Sequence, residues 1–195
     1  MKRSNEIIPN DNVLRYYFYF MQERMNIFWR KCEGKEVLTQ DPILREYKFT
    51  NVYRACDRVS QYLIRDVIYK DIELYTSEDV ILRVLVFKIF NKIETWEYLC
   101  KEYGDITMNH FDVDRISYLL SLRRNNFPVF NNAYMMTGSD RKYDYLKFKH
   151  EKWLTMVEKE FIGEGVINKV LKAKTLEEVF NLLKSCTFIG GFLAY

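Results

Sequence analysis

One stretch of the chain, VILRVLVFKIFNKI from Val80 to Ile93, is apolar on nearly every side when it is drawn as a helix. A helix with no polar face has to lie at the centre of a packed structure. Thr76 and Asp79 precede it with the spacing of a capping pair. A strand of the same composition is the alternative, but the stretch is long and lacks turn signals. We therefore predict a central buried helix. Its least accessible side chains should be Leu82, Leu85, Val86 and Ile89.

The rest of the chain also favours helices, because its 195 residues include only 7 Gly and 3 Pro. Apolar residues recur at helical spacing from Val13 to Trp29, behind Asn10 or Asp11 as a cap. Further helices are predicted at about residues 49–69, 95–103, 112–126, 139–161, 164–173 and 175–186, the last opened by a Thr175–Glu178 capping box. Residues 32–42 and 127–140 are predicted to be irregular. The expected fold is an all-α multi-helix bundle forming a single domain over residues 1–195.

Composition excludes several classes of function. The net charge is only +3, so nucleic-acid binding would have to rest on a local basic patch. The N-terminus MKRSNEIIPND has no apolar run of signal-peptide length, and no segment is predicted to span a membrane. The four cysteines lack metal spacing and indicate reduced thiols in an intracellular protein. His110 and His150 have no ligand partners at metal spacing, so neither a metal nor a cofactor is expected.

The stretch DPILREYKFTNVYRACDRVSQYLIR, residues 41–65, concentrates short polar groups on one predicted helix face. In a helix from Phe49 to Tyr69 that face would carry Asn51, Arg54, Asp57, Arg58, Gln61 and Arg65. Two guanidinium groups one turn apart suit bidentate contacts to a phosphate or a carboxylate, and the amides could orient a substrate. The alternative is an internal ion-pair network in which the arginines are tied to Asp57, to Glu46 or to a neighbouring helix.

The last residues, KSCTFIGGFLAY, outline a helical hairpin over residues 176–195. Glycines at its turn would permit positive φ and let a phosphate approach the backbone at the start of the next helix. This reading predicts a DNA-binding turn made of Thr187, Phe188, Ile189, Gly190 and Gly191. The alternative is a simple glycine C-cap between two helices. The chain ends at Tyr195, within the first turns of the second helix, which predicts an incomplete domain or a remainder on a second chain.

Five motifs carry a resemblance to a known family. They are YYFYFMQERMNIFWRK, DPILREYKFTNVYRACDRVSQYLIR, VFKIFNKIETWEYL, NNAYMM and FIGGFLAY, in that order. Together they resemble the helical domain of phage and bacterial DNA base-hypermodification proteins, a family that includes the 5-hydroxymethyluracil DNA kinases and the α-glutamyl/putrescinyl thymine pyrophosphorylases. The resemblance implies a fold similar to the helix-hairpin-helix DNA glycosylases. It also implies action on modified pyrimidines in DNA, in the cytoplasm of a bacterial cell or phage-infected host.

The chain departs from what the resemblance implies at three points. It contains no GxxxxGK[ST] motif, so it is not a P-loop kinase. Phe188–Ile189–Gly190 replaces the usual Gly–hydrophobic–Gly order of the hairpin. In glycosylase-type folds the catalytic Asp follows that hairpin, whereas this chain stops there.

Three functions are compatible with these residues. The first is a glycosylase-like or base-modifying enzyme, with Asp57 or secondarily Asp41 as the catalytic carboxylate. Its substrate contacts would be Asn51, Arg54, Arg58, Gln61, Tyr47 and Lys48. The second is a non-catalytic DNA-binding or scaffold module that positions a partner kinase or transferase. The third is a fragment or split subunit of the enzyme that stays inactive until its C-terminal part is supplied.

Overall fold

The structure is a computed structural model that describes residues 10–132 and 140–195. These residues form ten α-helices with short 3-10 turns and two π-helices, and they include no strand. The predicted all-α class is therefore confirmed. By their internal contacts the residues form two compact units, Met1–Gln61 and Tyr62–Tyr195. That the whole chain is one domain stays a prediction. None of the described helices is both long and apolar enough to cross a membrane.

The first unit is built around α1, Asp11–Cys32, which Asn10 caps as predicted by accepting the Asn12 and Val13 N–H groups. The loop after α1 is held by Glu23, whose Oε1 accepts hydrogen bonds from Thr39 Oγ1 at 2.6 Å and Arg30 at 2.8 Å. Thr39 Oγ1 in turn accepts the Asp41 N–H at 3.1 Å. This chain of bonds fixes where α2, Pro42–Glu46, begins.

The predicted helix from Phe49 to Tyr69 is wrong in its first half. Arg24 donates hydrogen bonds to the Phe49 and Thr50 carbonyls, at 2.7 and 3.3 Å. The Asp57 carboxylate accepts the Asn51 N–H at 2.9 Å, within a non-helical segment. Because these side chains bind the main-chain groups that a helix would use, they compete with helix formation. The chain instead forms a 3-10 helix, Arg54–Cys56, followed by α3, Arg58–Tyr62.

The second unit contains the other elements. They are the π-helix Leu63–Tyr69, α4 Ser77–Phe90, α5 Ile93–Glu102, α6 Val113–Arg124, α7 Lys149–Met156, the π-helix Val157–Gly163, α8 Val166–Lys172, α9 Leu176–Lys184 and α10 Gly191–Ala194, with 3-10 turns at Ile72–Leu74, Met108–His110 and Arg141–Tyr143. Helix α4 contacts the first π-helix, α5 and α8. It is the predicted central helix.

The start of α4 confirms the predicted capping pair, because the Thr76 and Asp79 side chains bond reciprocally to each other's backbone. Leu82, Val86 and Ile89 are buried as predicted, but Leu85 is only half-buried. The buried face also includes Arg83 and Phe87. At about 100° per residue it is therefore centred away from Leu85, which falls at its edge.

Other helix starts follow the local capping signals. Asp112 caps α6 by accepting the Arg115 N–H, as predicted. Thr175 caps α9, although the Glu178 carboxylate bonds the Lys174 N–H instead of the Thr175 N–H. The helix predicted from Ser139 or Asp140 begins later, at Lys149, because Asp140 caps only a 3-10 turn. Half of the segment predicted to be irregular, residues 133–139 and therefore Ser139, lies outside the described residues.

Candidate functional site

The predicted polar face of residues 49–69 does not form as one continuous helix face. Asn51 and Asp57 lie outside any helix and Arg54 lies in the 3-10 helix, whereas the other three members, Arg58, Gln61 and Arg65, lie in α3 and the π-helix that follows it. Asn51 and Asp57 are half-buried in the loop, where Asn51 Nδ2 donates to the Cys56 carbonyl at 3.0 Å. Gln61 Nε2 donates to the Ala55 carbonyl at 2.6 Å. These three side chains close the loop around the 3-10 helix. Four other predicted substrate contacts are exposed: Tyr47, Lys48, Arg54 and Arg58.

We expect the Asp57 carboxylate to contribute to the stability of the folded protein. Asp57→Ala removes the acceptor of the Asn51 N–H and should cost about 1–2 kcal/mol in the free energy of unfolding. Asp57→Asn keeps an acceptor oxygen and should cost less. Urea denaturation of both variants measures the difference. If Asp57→Ala left stability unchanged yet abolished ligand binding or base chemistry, the carboxylate would have a chemical role.

Asp41, the second predicted catalytic residue, is the N-cap of α2. Its Oδ1 accepts the Ile43 and Leu44 N–H groups at 2.9 and 3.0 Å. Its Oδ2 accepts the Tyr19 hydroxyl at 3.2 Å. Desolvation and this hydrogen bond raise the pKa of Tyr19 above its ordinary value, so the phenol stays protonated and continues to donate. A carboxylate oxygen can accept more than one bond, so Oδ2 keeps capacity for a ligand.

Asp41 lines a pocket of about 540 Å³ between α1 and α2. The lining residues are Arg15, Tyr16, Tyr19, Phe20, Asp41, Ile43 and Leu44. Aromatic and aliphatic walls with one carboxylate and one guanidinium suit a flat, polar-edged ring. Tyr16 is 73% exposed and Tyr19 is 49% exposed, so both rings are accessible. We call this group the α1–α2 pocket and take it as the candidate site.

The sequence singled out Asp41 but missed its neighbours on α1. The available signal was the spacing of Arg15 and Tyr19, which places two polar-tipped side chains one turn apart on the same helix. Arg15 and Tyr19 lie near Asp41 because Glu23 on α1 binds Thr39, which in turn binds the Asp41 N–H. The bond between Glu23 and Thr39 joins residues that are far apart in the sequence.

The C-terminal hairpin differs from its prediction in backbone geometry. The residue at positive φ is Phe188, at 68°, whereas Gly190 has φ −81°. The prediction that the glycines of this turn adopt positive φ is therefore wrong. The Phe188 ring packs against Tyr143 and Trp153, with centroids 5.6 and 5.1 Å away. These contacts hold Phe188 in a conformation that a bulky residue seldom adopts.

Thr187 is anchored to the buried carboxylate of Glu160. Its N–H bonds Glu160 Oε2 at 2.7 Å and its hydroxyl bonds Oε1 at 2.6 Å. Lys142 and the Tyr143 hydroxyl also donate to Oε1, both at 2.8 Å. Burial alone would raise the pKa of Glu160, but these hydrogen bonds outweigh it and hold the pKa below its ordinary value. Glu160 is thus an ionised anchor for the turn.

The five residues predicted to bind DNA therefore divide into two groups. Thr187 and Phe188 fasten the turn to the unit, and Ile189 is half-buried. Gly190 and Gly191 are exposed, and a Cβ added to Gly190 would meet no atom within 4 Å. Because the space beside Gly190 is open, the fold does not require glycine there. The same open space leaves the Gly190 backbone accessible to a ligand.

Comparisons with known proteins agree with one another. A family model described as "5-hmdU DNA kinase, helical domain" matches residues 11–195. The "5-hmdU DNA kinase" of Bacillus phage SP10 is 28% identical to this chain over 190 residues. That alignment covers 92% of this chain and 29% of the relative, so the chain spans less than a third of the relative's length. No solved structure matches the chain.

Proposed function

The chain belongs to the family described as 5-hmdU DNA kinase, helical domain, and on that premise we propose that it is a non-catalytic module that binds DNA containing 5-hmdU and presents the base to a kinase. The family resemblance predicted from the sequence motifs is confirmed. The observation that carries the proposal is the α1–α2 pocket, which offers a carboxylate and a guanidinium within aromatic walls. The proposed compartment is the cytoplasm of a bacterial cell or phage-infected host.

Phosphoryl transfer needs a phosphate cradle and a metal-binding group. The 195 residues contain no GxxxxGK[ST] motif, so a P-loop site would have to come from outside them. A second chain or a further segment that supplies the kinase is part of the proposal. The helical domain then contributes DNA binding and placement of the base.

The chemistry of the pocket matches a 5-hydroxymethyluracil ring that has left the base stack. The ring presents two carbonyl oxygens and one N–H at its edge, which complement Arg15 and Asp41. Its hydroxymethyl group carries an O–H donor that thymine lacks. A bond from that hydroxyl to Asp41 Oδ2 would let the pocket prefer 5-hmdU over thymine.

Tyr16→Ala tests the pocket. Loss of one stacking ring should weaken binding of a 5-hmdU oligonucleotide by about 1–3 kcal/mol. Tyr17→Ala is the matched control, because Tyr17 is an exposed neighbour on α1 that does not line the pocket. Fluorescence anisotropy with labelled oligonucleotide measures both. Equal losses in the two variants, or no loss in Tyr16→Ala, would contradict the assignment of the site.

The second candidate function is a glycosylase-like enzyme acting on the modified base, with Asp57 or Asp41 as its carboxylate. The exposed Gly190 and Gly191 at the α9–α10 turn favour it, because a helix-hairpin-helix uses such a turn to approach DNA. Against it, both carboxylates already accept main-chain hydrogen bonds. Release of free base from a 5-hmdU duplex, lost in Asp57→Asn or Asp41→Asn, would establish the enzyme. The module predicts no release.

A further inference from the structure

We propose that a cation–aromatic surface at the end of α6 and the start of α7 binds the phosphodiester backbone of a DNA strand. The α6–α7 surface consists of Arg123, Arg124, Phe127, Lys147, Phe148 and Lys149. This inference rests on the proposed function, since it assigns DNA as the partner. It adds a contact to the strand itself, on residues that are distinct from those of the α1–α2 pocket.

The surface is centred on the Phe148 ring. The Arg124 guanidinium lies 4.0 Å from the ring centroid and the Lys147 ammonium lies 5.2 Å from it. Helices α6 and α7 pack against each other, which brings the end of one helix to the start of the other. Two cations therefore share one aromatic ring although they are separated in the sequence.

Two further cations, adjacent in sequence to Arg124 and Phe148, lie over other aromatic rings. The Arg123 guanidinium lies 4.9 Å from the Tyr98 centroid and 5.4 Å from that of Phe127. The Lys149 ammonium lies 4.5 Å from the centroid of Phe130. Arg123 Nε is buried with no hydrogen-bond partner among the described residues. Aromatic rings are the contacts that position this guanidinium.

No carboxylate neutralises these four cations in the part of the chain that the structure describes. The ion pairs found there involve other residues. Glu151, the nearest acidic residue in sequence, accepts the Phe148 N–H at 2.9 Å. Of the undescribed residues, only Glu6 has a carboxylate side chain. In a chain of net charge +3, this is a local concentration of unpaired positive charge.

The arrangement fits a nucleic-acid strand better than a single small anion. The Arg124 guanidinium lies over the Phe148 ring and is exposed, so its N–H groups can reach a phosphate oxygen. Four cations near the end of α6 and the start of α7 can contact successive phosphates. Phe127 is 59% exposed and offers a face on which an unpaired base can stack. Cationic tracks interleaved with aromatic rings are the pattern by which proteins bind single strands.

The test measures binding of the chain to a single-stranded thymidine oligonucleotide at several salt concentrations. The double variant Arg124→Gln with Lys147→Gln removes two phosphate contacts. The slope of log K against log salt should fall in magnitude by about 1.4, at roughly 0.7 per phosphate. Arg124→Lys with Lys147→Arg keeps both charges and should keep the slope. Lys169→Gln with Lys172→Gln, an equal charge change at two exposed positions of α8, should also leave the slope unchanged.

A second double variant, Arg123→Gln with Lys149→Gln, does not touch the Phe148 ring and should lower the slope similarly. An unchanged slope in both neutralised doubles, or the same fall in the α8 control, would overturn the inference. Equal affinity for 5-hmdU and thymidine strands, with the slope lowered as expected, would contradict the proposed function alone. A chain that binds neither strand at any salt concentration would overturn both.

Discussion

Replacing Glu160 with alanine is expected to lower the free energy of unfolding of the Tyr62–Tyr195 unit by about 3–5 kcal/mol. Lys142 is 48% exposed, so water can replace the carboxylate beside it. Most of the loss should come from the buried Tyr143 hydroxyl and from the Thr187 N–H and hydroxyl, which would lose their common acceptor. Urea denaturation measures the change, with Glu158→Ala as control, because Glu158 lies exposed on the same π-helix.

The stability difference between wild type and Glu160→Ala should also depend on pH. The pKa of Glu160 in the folded protein lies below its ordinary value of 4.5. As the pH falls, the unfolded chain therefore takes up this proton before the folded chain does. The stabilisation is complete above the ordinary value and is lost as the pH falls through the lowered pKa. A difference that grew on acidification would contradict this account of the anchor.

Phe87→Ala should be nearly as damaging, at about 3–5 kcal/mol. Phe87 is 1% exposed on α4, and its ring lies between Tyr62 and Trp96, with centroids 5.9 and 5.8 Å away. The cavity left by the ring would be enclosed by rigid neighbours that cannot easily collapse into it. Thermal and urea unfolding measure the loss. Leu85→Ala on the half-buried side of α4 should cost clearly less, and equal losses would contradict the assigned buried face.

Helix starts and the central helix were predictable because their signals are local. Asn10, Thr76 and Asp112 each cap the helix that follows them, through bonds that span two or three residues. The apolar run after Thr76 has one stable environment, the centre of its unit. What the sequence did not settle was which side of α4 is most deeply buried, because that depends on where its neighbours pack.

The predicted helix from Phe49 to Tyr69 was wrong in its first half because periodicity does not reveal side chains that bind the main-chain groups a helix would use. Asn51 and Asp57 looked like members of one polar helix face, but their hydrogen bonds instead stabilise a loop. Arg24 adds bonds to the same segment from α1. Such distant contacts override a helical pattern, and three of the polar residues predicted for the site, Asn51, Asp57 and Gln61, instead close a turn.

The anchored hairpin and the α6–α7 surface could not be predicted from the sequence, because both depend on contacts between residues that are far apart in it. Glu160 reaches Thr187 across 27 positions, and no motif links them. Arg124 and Phe148 meet only because α6 packs against α7. Of the residues that line the α1–α2 pocket, the sequence pointed to Asp41 as a candidate but not to the aromatic residues.

The central proposal is that this helical domain binds DNA and distinguishes 5-hmdU from thymine. The direct measurement is competition between two oligonucleotides that differ only in 5-hmdU or thymidine at one position, for binding to the 195-residue chain. A hydroxyl bonded to the Asp41 carboxylate should give the 5-hmdU strand an advantage of about tenfold or more. Equal affinity for the two strands would contradict the claim.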